Sequence, residues 1–268
     1  RFVRREMIDT GLKSGFKAPE GKLVHYQDLE PVDFSLPPLK CYWDIECYSR
    51  TRFPEPSHPD QPINCITFWD TQNRHYYTLL LDDERGKTVL ADDHTLFHYP
   101  DEKMLLRTAV KYLERLRPDV LAEWGRLDKE YFPPRAKYHK QSTYVFRSFC
   151  TFDMIPAYKK LYQKGSNRLK DVAFDEGIIN YVPDEVNFAD LWDNDRMALV
   201  MKNKHDVEWI VKLDELKGDL IGFFWNLKNA AGLEDLQETT FHGVLVDTRL
   251  LRKYHGRYML PSRPEKKP

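Results

Sequence analysis

The apolar and polar residues of the chain form several short runs that are typical of β-strands. These runs predict strands over the ranges Leu39–Cys47, Ile63–Trp69, Arg74–Leu81, Val120–Trp124 and Thr143–Phe152. The first three runs follow one another along the chain. We therefore expect them to pair as an antiparallel meander.

Other segments have the spacing of amphipathic helices. A helix is predicted over Glu102–Leu116, where apolar residues from Leu105 to Leu113 share one face. Further helices are predicted over Ile155–Gln163, over Asn167–Ile178 and from Asp195 to about Lys228, the last interrupted at Gly218 or Gly222. Strands that come first and then alternate with helices predict an α/β fold with a mixed β-sheet flanked by helices.

The two ends of the chain have a different character. Residues 1–40 contain Pro19, Pro31, Pro37 and Pro38, which break any long periodicity and predict a linker or a strap. The tail Arg263–Pro268 is basic and bounded by prolines, and we expect it to be flexible. Because the chain lacks an initial Met, we expect it to be a fragment of a longer polypeptide.

Charge and hydropathy exclude some classes of protein. The net charge is −1, from 41 basic and 42 acidic residues, which argues against an autonomous binder of long duplex DNA. Even the longest apolar runs, such as Thr78–Leu81, are only a few residues long, which excludes a membrane-spanning segment. The first residues lack the apolar core of a secretory signal. The four cysteines, of which none form a C-x-x-C pair, are interpreted as free thiols rather than zinc ligands.

Acidic residues at the end of a predicted strand are the first candidate site. Asp44 and Glu46 are two residues apart, so both side chains point to the same face of the sheet. Two neighbouring carboxylates repel each other unless a cation neutralises them, and oxygen ligands suit Mg²⁺ or Mn²⁺. The alternative interpretation is a strand end with two solvated acids.

Two further acids are candidates at greater distance in sequence. Asp206 lies on the inward face of a predicted helix and needs a partner there. That partner is either a metal shared with Asp44 or Lys202, four residues earlier, in a plain ion pair. Asp128 follows the strand Val120–Trp124 and is either a metal ligand or a surface turn residue.

The order and context of these acids resemble the exonuclease motifs of family B DNA polymerases, and the archaeal members in particular. The first resemblance is Trp43-Asp44-Ile45-Glu46, with Phe53-Pro54 and Pro62-Ile63-x-x-Ile66 after it. The second is Pro118–Trp124 with Leu127-Asp128-x-x-Tyr131-Phe132-x-x-Arg135. The third is Asn203-Lys204-His205-Asp206-Val207-Glu208, followed by Leu213-Asp214-Glu215.

The resemblance implies an RNase H-like fold and 3′→5′ hydrolysis of the terminal phosphodiester of DNA, as in proofreading. It implies two ions of Mg²⁺ or Mn²⁺, with Asp44 bridging them, Glu46 and Asp206 holding one, and Asp128 holding the other. The implied partners are the 3′ end of single-stranded DNA and polymerase domains, in the same polypeptide or a second chain. The implied location is cytoplasmic, with the nucleoid.

The resemblance also implies three regions. Residues 1–38 would be a connector from a preceding domain, residues 39–232 the exonuclease domain, and residues 233–268 a segment that leads towards a polymerase palm. The part of the last region from His242 to Leu260-Pro261 carries this similarity.

Two departures from the family pattern leave an alternative function open. The second motif lacks the Asn that normally precedes its Asp and is about two residues short, so Glu130 is an alternative to Asp128. In the third motif Lys202 stands where the family has a Tyr whose hydroxyl helps to orient the attacking water. The alternative is a catalytically degenerate domain with a structural or template-binding role. Tyr131 and Phe132 are interpreted as core residues, with stacking on a frayed base as the other possibility.

Overall fold

The structure is a computed structural model that describes residues 2–19, 21, 23–162 and 165–258. The predicted tail Arg263–Pro268, and Leu260-Pro261, lie outside the described residues. The chain divides into two compact units, one of residues 38–221 and one of residues 1–37 and 222–268. The division at 221 falls within a helix, and each unit is described by itself.

The strands of the described residues follow the sequence pattern closely in the central part of the chain. In chain order they are β1 (Gly15–Lys17), β2 (Glu30–Val32), β3 (Lys40–Cys47), β4 (Ile63–Asp70), β5 (Tyr76–Leu81), β6 (Gly86–Ala91), β7 (His94–Tyr99), β8 (Val120–Glu123) and β9 (Cys150–Asp153).

The helices of the described residues occur mainly after the meander. In chain order they are α1 (Phe2–Asp9), α2 (Glu102–Leu116), α3 (Leu127–Tyr138), α4 (Met154–Leu161), α5 (Leu169–Asp175), α6 (Phe188–Asn194), α7 (Arg196–Leu216), α8 (Leu220–Ala231) and α9 (His242–Tyr254). Among the described residues, no helix combines the length and the apolar character needed to cross a membrane.

Strands β3 to β9 form one seven-stranded mixed sheet in the order β6-β7-β5-β4-β3-β8-β9. Strands β3, β4 and β5 pair antiparallel, as the predicted meander requires, whereas β8 lies parallel to both β3 and β9. The fold is therefore α/β with a mixed sheet flanked by helices, as the sequence predicts.

The two faces of β3 have different roles. Cys41, Trp43 and Ile45 are buried in the main hydrophobic cluster, together with apolar residues of α2 and α3. The alternate residues face α7, where the Tyr42 hydroxyl donates a hydrogen bond to Asp214 Oδ2 at 2.6 Å. Since side chains alternate along a strand, this register places Asp44 and Glu46 on the same face as Tyr42.

The long helix predicted after Asp195 is divided as the sequence indicates. The Asp195 side chain caps α7 by accepting a hydrogen bond from the Ala198 N–H at 2.9 Å. Helix α7 ends before Gly218, which has a φ of 68°. This left-handed conformation is one that glycine adopts at little cost, so it separates α7 from α8.

Some sequence predictions of local structure are wrong. Residues 143–152 do not form one strand: Tyr144–Arg147 is a 3₁₀ turn and only Cys150–Asp153 pairs with β8. The turn has an apolar sequence that resembles a strand because Val145 and Phe146 reach the core. Helix α3 is unpredicted because Pro133 and Pro134 lie inside it, a position where proline normally disrupts a helix.

The unit formed by residues 1–37 and 222–258 is more regular than expected from its prolines. Strands β1 and β2 pair antiparallel, with Gly15 opposite Val32. The Arg252 guanidinium donates hydrogen bonds to the carbonyl oxygens of Met7, Leu12 and Gly232, which links α9 to the first residues of the chain. The described residues of this unit thus include regular elements where the prolines predict irregular backbone.

A buried ion pair connects α2 and α3. Arg135 Nε donates a hydrogen bond to Glu102 Oε1 at 2.7 Å, and the side chains of both residues are at most 7% exposed. Glu102 Oε1 also accepts the Ile63 N–H at 2.8 Å, and His139 Nε2 lies 2.9 Å from Oε2. The pair therefore fixes the two helices against the start of β4.

Replacing Arg135 with methionine should destabilise the protein strongly. The Glu102 carboxylate would keep its buried position but lose its cation, which typically costs about 3–5 kcal/mol. Urea unfolding of Arg135→Met measures this loss. Arg52→Met, which breaks the exposed pair between Arg52 and Asp60, is the control and should leave stability nearly unchanged. Equal effects of the two substitutions would contradict this account.

Candidate functional site

Three carboxylates from two distant segments converge beside the sheet. Asp44 and Glu46 come from β3, and Asp206 comes from α7. One oxygen of each carboxylate lies within 4.8 Å of the others. We call these three residues the carboxylate cluster. The structure thus brings together three of the four acids that the sequence singled out.

Contacts at two points hold α7 along β3. At one point Asp214 is fully buried and accepts hydrogen bonds from the Tyr42 hydroxyl at 2.6 Å and from Lys40 Nζ at 2.5 Å. At the other point Asn203 Nδ2 donates to Asp44 Oδ2 at 2.6 Å. The helix therefore cannot slide along the strand without losing buried hydrogen bonds, and its position sets the place of Asp206.

Lys202 is the cation next to the cluster. Its Nζ lies 2.6 Å from Asp206 Oδ2 and 4.9 Å from the centre of the Phe188 ring. Burial lowers the pKa of Lys202, but Asp206, Glu46 and Asp44 outweigh this effect, so that the pKa is raised overall. The two interpretations of Asp206 from the sequence are therefore compatible, because the residue forms the ion pair and also belongs to the cluster.

The cluster carries more negative charge than Lys202 can balance. Burial raises the pKa of Asp44 to about 8, and the nearby Asp206 adds to the rise, although Lys202 and Asn203 oppose it. Burial and the neighbouring Asp44 raise the pKa of Glu46 well above its ordinary range. Burial likewise raises the pKa of Asp206, which Lys202 partly offsets. A further cation at this position would offset both the cost of burying these carboxylates and the repulsion between them.

The structure separates the two candidates of the second motif. Asp128 is in the first turn of α3 and only 7% exposed, whereas Glu130 is exposed. Burial raises the pKa of Asp128 well above its ordinary range, and the charges of Asp44, Glu123 and Glu46 raise it further. Asp128 therefore interacts electrostatically with the carboxylate cluster, although it is not one of its three members.

Two residues of this region have roles that sequence reasoning missed. Asn203, inside the third motif, orients Asp44 and accepts a hydrogen bond from Cys65 Sγ at 3.5 Å. A signal was present, since Asn203 is a polar residue on the apolar stripe of α7 that includes Val200 and Val207. Glu123 is fully buried beside Asp128, and burial raises its pKa to about 8, opposed by Lys129. Its position at the end of an apolar strand gave no signal of burial.

The comparison with protein families bears on this site. Residues 21–126 match the family model described as DNA polymerase family B, exonuclease domain. This region of the chain is similar to that family. A search of curated proteins found no match. The matched region of the exonuclease domain includes Asp44 and Glu46 and ends before Asp128, Lys202 and Asp206.

The aromatic residues beside the second motif belong to the main hydrophobic cluster. Tyr131 and Phe132 are fully buried. The Tyr131 hydroxyl donates a hydrogen bond to the Gln61 carbonyl at 2.6 Å, and Phe132 packs edge-on against Trp43 at 5.5 Å between ring centres. The prediction of core packing is confirmed, and neither ring is exposed for stacking on a base.

The four cysteines match their sequence interpretation in that none of them forms a disulfide. Cys41 and Cys65 are buried, and Cys47 and Cys150 are partly buried. Burial raises the pKa of Cys41, Cys47 and Cys65 well above the ordinary value, so these thiols stay protonated and unreactive at neutral pH.

Without divalent ions, the unit of residues 38–221 should lose stability as the pH rises. The folded state keeps the Asp44 proton up to about pH 8, whereas the unfolded chain releases it near the ordinary value of 3.8. Rising pH therefore favours unfolding between these two values. Asp44→Asn removes this titration while leaving an oxygen that can accept from Asn203.

The measurement is the melting temperature of wild type and Asp44→Asn in chelator at several pH values from 5 to 8.5. We expect the melting temperature of the variant to increase relative to that of wild type as the pH rises, by about 2–4 °C for each kcal/mol of destabilisation removed. Saturating Mn²⁺ should abolish or reverse the difference. Parallel pH profiles in chelator would show that Asp44 is not under electrostatic strain.

Proposed function

We propose that this chain is a metal-dependent 3′→5′ exonuclease that hydrolyses the terminal phosphodiester of single-stranded DNA. The observation that carries the proposal is the carboxylate cluster, in which oxygens of Asp44, Glu46 and Asp206 lie within 4.8 Å of one another. The family match of residues 21–126 supports it, because the match includes the strand that supplies two of these acids.

The residues present fit a pair of hard divalent ions. The donors are carboxylate oxygens without any sulfur or imidazole ligand among them, which suits Mg²⁺ or Mn²⁺. The raised pKa values of the cluster fit the same interpretation, since burial and neighbouring acids oppose the ionisation of these carboxylates and a bound cation would favour it. We propose that Asp44 contacts both ions, that Glu46 and Asp206 complete one site, and that Asp128 supports the other.

Bound ions would supply the acidity that turns water into a nucleophile and would offset the charge of the leaving 3′-oxygen. The chain's own residues provide the positioning. Asn203 holds the Asp44 carboxylate in one orientation through its hydrogen bond of 2.6 Å. Lys202 holds Asp206 through a contact of 2.6 Å and places an ammonium at the edge of the cluster. The ammonium of Lys202 also reduces the attraction of the cluster for divalent ions, because it occupies one Asp206 oxygen.

The second candidate function is a degenerate exonuclease domain with a structural or template-binding role in a polymerase. The ion pair between Lys202 and Asp206 favours it, since a lysine that neutralises one ligand weakens a divalent site. The buried positions of Glu46 and Asp128 favour the active enzyme, because burial of carboxylates is costly without a cation.

The wider setting follows from the family. We propose that residues 39–232 are the proofreading domain of a replicative family B DNA polymerase, similar to the archaeal members, that acts inside the cell. Residues 1–38 and 233–268 would then join it to neighbouring parts of that enzyme. The polymerase active site would lie in the same polypeptide or in a second chain.

The test is the release of mononucleotides from a single-stranded oligonucleotide labelled at its 3′ end. We expect release to require Mg²⁺ or Mn²⁺ and to stop in chelator. A 5′-labelled copy should shorten one nucleotide at a time. Absence of release under either ion, from a protein that binds the ion normally, would favour the degenerate domain. Internal cuts in place of stepwise shortening would contradict the exonuclease assignment.

A further inference from the structure

A pocket of about 690 Å³ lies on the side of α7 that faces away from the sheet. Its walls include Tyr181, Phe188, Lys202, His205 and Trp209, and we call it the Trp209 pocket. A volume of this size is typical of sites for small organic groups. Its walls include His205 and Glu208 of the third motif but no member of the carboxylate cluster.

Flat rings dominate the walls of the Trp209 pocket. His205 and Trp209 lie nearly parallel, with 11° between their planes and 6.3 Å between ring centres. Tyr181 is 67% exposed, an unusual state for an aromatic side chain that lines a pocket. Exposed rings at a groove wall are the means by which many proteins stack the bases of single strands.

The lysines of the pocket are paired with acidic residues. Lys212 Nζ lies 2.6 Å from Glu208 Oε1, and Lys170 Nζ lies 3.6 Å from Glu185 Oε1. Since these lysines are neutralised within the walls, the pocket offers little attraction for a phosphate group. The chemistry favours an uncharged, planar ligand with polar edges, which describes a nucleobase.

The pocket is adjacent to the carboxylate cluster. Lys202 lines the pocket, and its Nζ also lies 2.6 Å from Asp206 Oδ2. Lys202 therefore lies between the pocket and the carboxylate cluster. We propose that the Trp209 pocket binds an unpaired nucleobase of the strand whose 3′ end is hydrolysed. This inference rests on the proposed exonuclease function and adds a binding site to it.

The experiment measures base stacking directly, with binding separated from hydrolysis. Single-stranded oligonucleotides carry the fluorescent base 2-aminopurine at one of the last three positions, and the protein carries Asp44→Asn to prevent cleavage. Tyr181→Ala is compared in this background with Tyr138→Ala, a matched control because both tyrosines are 67% exposed. Tyr138 lies on α3, outside the walls of the pocket.

We expect quenching of 2-aminopurine at one of the three positions, which reports a base stacked on a protein ring. Tyr181→Ala should reduce the quenching and weaken binding by about 5- to 150-fold, the range for loss of one base–aromatic stack. Tyr138→Ala should bind as the parent does. In the nuclease-competent protein, Tyr181→Ala should raise KM while kcat stays within about twofold.

Equal binding by the two tyrosine variants, or no quenching at any position, would overturn the proposal. The pocket would then be a candidate binding site for a protein segment. The outcome is distinct from failure of the exonuclease function. Stacking by a protein that never hydrolyses DNA would refute the enzyme and support the pocket. Normal hydrolysis without stacking would refute only the pocket. Circular dichroism of both variants checks that the fold is intact.

Discussion

Replacing both Asp44 and Glu46 with alanine should abolish the Mg²⁺-dependent release of nucleotides from a DNA 3′ end. These residues supply two of the three carboxylates of the cluster, so the variant keeps Asp206 alone. Substitution of residues that merely support metal ligands costs about 10- to 100-fold in metal affinity or activity, and loss of two ligands should exceed this range. The measurement is a single-turnover rate with excess protein over a 3′-labelled strand.

The same double substitution should stabilise the fold in metal-free buffer. It removes two carboxylates whose pKa values are raised first by burial and then by neighbouring acids. Relief of about 1 kcal/mol would raise the melting temperature by about 2–4 °C. The control is Asp92→Ala with Asp93→Ala, an exposed acidic pair in the turn between β6 and β7. An unchanged nuclease rate in the Asp44 and Glu46 double variant would assign the activity to another site.

Lys202→Tyr should raise the exonuclease rate, by about 10- to 100-fold if its hydroxyl positions the attacking water as other orienting groups do. The wild-type ammonium lies 2.6 Å from Asp206 Oδ2, where it competes with a divalent ion for that oxygen. Lys202→Ala removes the competition without supplying the hydroxyl, so its rate should lie between those of the other two proteins. The three single-turnover rates are compared across a Mg²⁺ titration, which separates ion affinity from the maximal rate.

Two outcomes would change this account of Lys202. If wild type is the fastest of the three proteins, the ammonium is a working part of the site, placed to meet the phosphate. If all three are inert while Mn²⁺ binds normally, the domain is the degenerate form. A lower apparent Mg²⁺ requirement in both variants, with the expected order of maximal rates, would show that competition and water orientation are separate effects.

Sequence periodicity identified the strand that carries the site because β3 is buried on both faces. Its neighbours Trp43 and Ile45 had to point into the core, so Asp44 and Glu46 had to share the other face. Asp206 was recognisable for a related reason, as an acid on the inward side of a long helix. The local sequence pattern therefore located three acids, each at a position where its side chain needs a partner in the folded chain.

Other features depend on contacts that no local pattern records. Helix α3 forms although Pro133 and Pro134 lie inside it, because Phe132 and Arg135 are held by Trp43 and Glu102. Strands β6 and β7 were missed since their sequence is half polar, with β6 exposed at the edge of the sheet. The Trp209 pocket arises from segments that meet only in the folded chain.

The most direct test of the central claim is diffraction from crystals soaked in Mn²⁺, recorded where manganese scatters anomalously. The account predicts two anomalous peaks about 3.5–4 Å apart, in contact with Asp44 and flanked by Glu46, Asp206 and Asp128. A single weak peak would indicate that Lys202 blocks one position. Crystals that show no manganese between Asp44, Glu46 and Asp206 at millimolar Mn²⁺ would contradict the claim that this cluster is a metal-dependent nuclease site.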